Sequence, residues 1–111
     1  MNGTEKQIAF AEEIKNAAMS NVLHNIELSM KRYEEYDHHP NYLADAEAFR
    51  VMAACLKKIF DAHDDAEYFI NSKETLAFEN LCKTVDRWAE LIRQGKKTAA
   101  QIAFENGVKN W

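Results

Sequence analysis

From Thr4 to about His39 the apolar side chains Ile8, Ala11, Ile14, Ala18, Val22, Ile26, Met30 and Tyr33 recur every three or four residues. That is the period at which one face of an α-helix repeats. A single helix of this extent reaches about 50 Å at roughly 1.5 Å per residue. The helices that follow are too short to cover it, so it either overhangs them or bends near Met19-Ser20-Asn21, where Ser and Asn compete for backbone hydrogen bonds. The bend is the favoured expectation, with the N-terminal arm packing against the C-terminal end of the chain.

That end carries an echo of the start. Thr4-Glu5-Lys6-Gln7-Ile8-Ala9-Phe10 returns in shortened form as Thr98-Ala99-Ala100-Gln101-Ile102-Ala103-Phe104, and Val108-Lys109 follows at the spacing of Ile14-Lys15. Each copy fits a capping box, in which the Thr hydroxyl and the Gln side chain satisfy backbone donors at a helix start. Between the copies, His38-His39-Pro40-Asn41 ends the first helix, because proline disfavours helical geometry in the residue before it. Tyr42 to about Ala62 places Ala46, Phe49, Met52, Ala53, Leu56, Ile59 and Phe60 on one face. Ala66 to Asn71 is a single helical turn or an extended plug at one end of the core. Ser72 is a candidate cap for a helix marked by Phe78, Leu81, Val85, Trp88 and Ile92, which stops at Gly95. The echo helix closes at Gly107, with Val108 as its hydrophobic contact.

No strand pattern competes with these helices. The expected fold is all-α: one domain over residues 1–111, with three principal antiparallel helices, the first long, and a short C-terminal helix. Three Gly and one Pro among 111 residues, with 47% hydrophobic residues, fit a folded and loop-poor chain. No apolar run approaches the roughly 18 residues that a membrane span needs, and the N-terminus does not read as a secretory leader. A cytoplasmic location with no membrane partner is expected. Cys55 and Cys82 lie inside expected helices and read as small buried apolar groups in a reducing compartment.

Charge is uneven. Residues 1–72 carry seven basic and thirteen acidic side chains, net −6, whereas residues 73–111 carry seven basic and five acidic, net +2. Phosphate binding needs clustered Lys and Arg, so nucleic acid is a poor partner for the first two thirds. A basic protein surface is a better one.

Parts of the sequence fit four chemistries. His24 or His38, then His63-Asp64, then Asp86 follow the order in which HD-type phosphohydrolases hold a divalent metal, although four His and eighteen acidic residues produce such an order readily. The carboxylate pattern of helical nucleotide pyrophosphohydrolases is broken at Lys15 and Asn16. Lys97 to Ala103 followed by Gly107-Val108 resembles the first helix and turn of a helix-turn-helix, but a recognition helix does not follow in the sequence. Finally, Phe10, Tyr36, Tyr42, Tyr68, Phe69, Trp88 and Trp111 are many large aromatics for a small core, and exposed ones would serve as interface anchors beside acidic groups.

The segment Gly3-Thr4-Glu5-Lys6-Gln7-Ile8-Ala9-Phe10-Ala11-Glu12-Glu13-Ile14 resembles a recurring N-terminal segment of small, mostly uncharacterised proteins of phages and mobile elements in Gram-positive bacteria, where the Phe10 position is often Trp. Asp65 to Ser72 is similar to a second element of that group, with Asn71 and Ser72 in place of Asp-Asn. The resemblance implies a genomic context in which small acidic proteins bind a host protein, including inhibitors of host defence such as anti-CRISPR proteins.

The sequence is therefore expected to encode a protein-binding module rather than an enzyme. It needs no cofactor or metal, and it acts on a host protein with a basic surface by steric or electrostatic occlusion. Its contact residues would be Tyr36, Asp37, Asp64, Asp65, Tyr68 and Phe69. A homodimer through the first helix or the aromatic ends is a further option. The alternatives are an HD-like metal-dependent phosphohydrolase using His63 and Asp64, and a DNA-binding accessory protein using Lys96, Lys97 and Lys109.

Overall fold

The computed structural model describes residues 1–105. They form five helices: α1 (Glu5–Glu35), α2 (Pro40–Ala62), α3 (Ala66–Asn71), α4 (Phe78–Arg93) and α5 (Ala99–Glu105). The all-α expectation holds. Gly107, Val108, Lys109 and Trp111 lie outside the described residues.

α1 is one uninterrupted helix of 31 residues, about 46 Å long at 1.5 Å per residue, against a longest molecular dimension of 50 Å. The helix runs unbroken through Met19-Ser20-Asn21, where a bend was expected. Asn25 Nδ2 donates to the Asn21 carbonyl oxygen at 2.8 Å, a bond along the helix that is compatible with its continuing. The N-terminal arm does not pack against the C-terminal echo either. It is covered by α3, which folds back beneath it after α2.

The start of α1 is fixed twice. Thr4 Oγ1 accepts from Gln7 N at 3.2 Å while Thr4 N donates to Gln7 Oε1 at 2.9 Å, a complete capping box. Ahead of it, Asn2 N donates to the Asp64 carbonyl at 2.8 Å and Ala66 N donates to the Asn2 carbonyl at 2.9 Å, so the first residues strap across the α2–α3 turn.

α1 does not stop at proline. It stops at Tyr36, where Asp37 and His38 turn into the left-handed region with φ of 54° and 57° and His38 N donates to the Tyr33 carbonyl. Pro40 instead opens α2 at the first helical position, where its missing N–H costs nothing.

α2 is the central element, with α1 on one side and α4 and α5 on others. It therefore buries two faces. Phe49, Met52 and Leu56 join Val22, Phe69, Leu81 and Val85 in the main core, while Val51 and Cys55 meet Ala100 of α5. α4 packs on α2. Its first residue, Phe78, stacks near Phe49 at 6.5 Å, and its last, Arg93, reaches Asp45 at 3.6 Å, one turn of α2 away.

Ser72 does not cap α4. It ends α3, and a turn anchored by the buried Leu76 intervenes before α4 begins at Phe78 behind an uncapped Ala77. The α4 terminus does follow the sequence. Gly95, at φ +74°, takes the left-handed position, Gly95 N donates to Ile92 O and Lys96 N to Leu91 O, which is a full Schellman closure. Among the described residues no helix is long and apolar enough to cross a membrane.

Candidate functional site: an apolar groove beside α5

The six residues expected to contact a partner fall at opposite ends of α1. At one end Tyr36 is 58% exposed and its ring lies 5.9 Å from that of Tyr42, which meets His39 edge-on at 6.3 Å. Asp37 is exposed beside it in the left-handed turn. This is a small aromatic tip. Behind it, burial pushes the Asp45 carboxyl up although the Arg93 guanidinium beside it acts in the opposite direction.

At the other end, the acidic and aromatic residues serve the fold. Asp64 Oδ1 pairs with the Met1 amino group at 3.2 Å. Asp65 caps α3, its Oδ1 accepting from Glu67 N at 3.0 Å. Tyr68 lies flat on His63, ring centroids 3.6 Å apart and planes 3° apart. Phe69 is fully buried, edge-on to Phe60 and Tyr68, with the Lys15 ammonium 5.1 Å from its centroid. A ring in that position cannot reach a partner, so Phe69 is corrected from contact residue to core. The adjacent aromatics Tyr68-Phe69 suggested surface anchors because the sequence does not show which of two neighbours faces inward.

The residues of the other chemistries do not assemble into a centre. Among the described residues no group of three or more His, Cys, Asp or Glu side chains is placed to hold a metal ion. His24 and Asp86 are exposed on α1 and α4, while the His63 ring lies flat against Tyr68. Of the basic residues near α5, Lys97 pairs with Glu105 at 2.6 Å, and Lys109 lies outside the described residues.

What the sequence did not reveal is a groove of about 710 Å³ between α2, α4, α5 and the turn before α4. Three local devices make it. The turn is held by Asn80 Nδ2, which donates to the Glu74 carbonyl at 2.6 Å. α5 is positioned by the Gly95 closure and by a second complete capping box. Thr98 Oγ1 accepts from Gln101 N at 3.0 Å and Thr98 N donates to Gln101 Oε1 at 2.8 Å, with Thr98 fully buried. Thus the echo of the N-terminal motif is matched by the same cap geometry. Finally, the face that α5 turns toward the groove is made of Ala99, Ala100 and Ala103, too small to fill the space.

Met52, Leu56, Ile59 and Cys55 form the α2 wall, and Leu81, Thr84 and Trp88 the α4 wall. Polar character is confined to Glu74, Thr75, Asn80 and Thr84. An open apolar groove of this size with a few polar groups on its margin matches what ligand and peptide sites share. Burial pushes the Cys55 thiol up to about 11, so at neutral pH it contributes an apolar, protonated surface. Comparisons of the chain with protein-family models, with curated proteins and with solved structures find no match.

Proposed function

We propose that the protein is a non-enzymatic binding module that takes a segment of another protein into the groove between α2, α4 and α5, and thereby occludes that segment from other uses. One observation carries the reading: some 710 Å³ of mostly apolar concavity that the described residues, with α5 faced by alanine, leave unfilled. Trp88 and Ile59 border the groove only partly buried, and so forgo part of the about 1.5–3 kcal/mol that full cover of a large apolar side chain is worth. A partner segment recovers that burial on binding.

The exposed aromatic tip at Tyr36 and Asp37 is a separate, smaller contact surface in this reading. The acidic excess of residues 1–72 steers a partner with a basic surface. A host protein of a bacterium is the proposed class of partner. That step rests on the resemblance of Gly3–Ile14 to segments of phage and mobile-element proteins, and a defence protein such as a CRISPR nuclease is one instance.

Affinity capture from a bacterial lysate with the tagged protein, followed by calorimetry of the purified complex, tests the module. A host protein that binds directly and stoichiometrically is the expected result. Recovery of no direct protein partner from lysates of several host species would overturn it.

A further inference from the structure

Resting on the reading of the groove as the docking site, we infer that its occupant is a short amphipathic helix of the partner, with apolar side chains at i, i+3 or i+4 and i+7, and a basic residue at the end that meets Glu74. Length is the first argument. Met52 to Ile59 on α2 and Leu81 to Trp88 on α4 each advance seven residues, about 10 Å at 1.5 Å per residue. The i to i+7 span of an incoming helix has the same length, and helix-in-groove recognition reads such anchors.

The third wall is the second argument. Ala99 and Ala103 present only methyl groups, so the backbone of a helix can approach α5 closely, and interaxial distance is set by the side chains at the contact.

Charge supplies the direction. Among the described residues Glu74 is the one charged side chain lining the groove, and its carboxylate has no ion-pair partner among them. The remaining polar lining, Thr75, Asn80 and Thr84, is neutral. A basic side chain on the occupant complements Glu74, whereas an acidic one is repelled.

The test uses two fluorescein-labelled, alanine- and glutamine-based peptides of about 16 residues, long enough for partial helix formation. Both carry Leu at i, i+3 and i+7, and they differ in having Arg or Glu at each end. Anisotropy titration of the full chain should show the Arg peptide binding about threefold or more tighter than the Glu peptide, the scale of one exposed charge pair. Glu74→Lys should reverse the order, and Ala103→Trp should abolish both interactions by filling the groove. Thr84→Tyr fills it from the opposite wall, and helical circular dichroism checks that each variant is folded.

No binding of either peptide to the folded chain overturns the inference, as does an order unchanged by Glu74→Lys. Uptake of the apolar dye N-phenyl-1-naphthylamine without peptide binding would overturn it in favour of a small ligand. Dimerisation abolished by Ala103→Trp, again without peptide binding, would assign the groove to a second copy. A captured host protein whose binding is lost in Ala103→Trp, with no affinity for the peptides, removes the helix and leaves the docking site standing. If capture fails as well, both readings fall.

Discussion

A methyl group at Gly3 would lie 2.9 Å from the Ala66 β-carbon, closer than β-carbons pack, and the Gly3 backbone has φ +142°, which L side chains rarely adopt. The N-terminal strap can cross α3 only because residue 3 has no side chain. Gly3→Ala is expected to destabilise the fold by about 1–3 kcal/mol through the clash and the backbone strain together. Thermal and urea unfolding measure it, and an unchanged midpoint would mean that the strap contributes nothing to stability.

The opening motif has structural causes of the same kind. Gly3 is needed for the crossing, Thr4 and Gln7 for the capping box, and Ile8 and Ala11 for the inner face of α1. Its residues answer local structural demands, and none of them lines the groove.

Phe69 and Tyr36 should separate cleanly. Phe69→Ala empties a fully buried ring site and is expected to cost about 3–5 kcal/mol. Tyr36→Ala removes an exposed ring and should stay within about 0.5 kcal/mol. Equal losses in denaturant titration would place Tyr36 in the core and contradict the tip described above.

Asp37 holds φ 54° at the position after the α1 cap, where glycine is usual. Asp tolerates this region better than most residues, at a cost of about 1 kcal/mol. Asp37→Gly is therefore expected to raise stability by about 0.5–1 kcal/mol, read as a higher melting temperature. A lower one would show that the Asp37 side chain makes a stabilising contact that outweighs the strain.

Cys55 gives the pH dependence. Its thiol is raised in the folded protein from the ordinary 9 to about 11, so folding favours the protonated form. The associated stability is complete below pH 9 and is lost as pH rises toward 11. Cys55→Ala should flatten that part of the stability profile between pH 9 and 11. Alkylation of the native protein at pH 8 should also spare Cys55, because little thiolate is present and access is poor. Rapid labelling there would contradict the burial.

The elements were legible wherever a local device set them. The 3.6-residue period marked α1, α2 and α4, both Thr/Gln capping boxes marked helix starts, and Gly95 marked a stop. What escaped was tertiary. A continuous α1 was not readable, because Ser20 and Asn21 can break a helix or sit harmlessly on its exposed face, as they do here. Ser72 was equally plausible as a cap for α4 or an end for α3, since both need a polar residue near a turn. The groove was invisible for a stronger reason. It arises from the packing of α4 and α5 on α2 and from alanines on α5 that read as good helix formers, and absent side-chain volume leaves no pattern along the chain.

The central claim, that a partner protein enters this groove, is tested most directly by capturing proteins from one bacterial lysate in parallel with wild-type and Ala103→Trp baits of equal melting behaviour. A host protein retained by the wild type and lost, by at least tenfold, from the filled-groove variant is the expected result. Equal retention by both baits would contradict the claim and move the contact elsewhere, with the exposed tip at Tyr36 next in line.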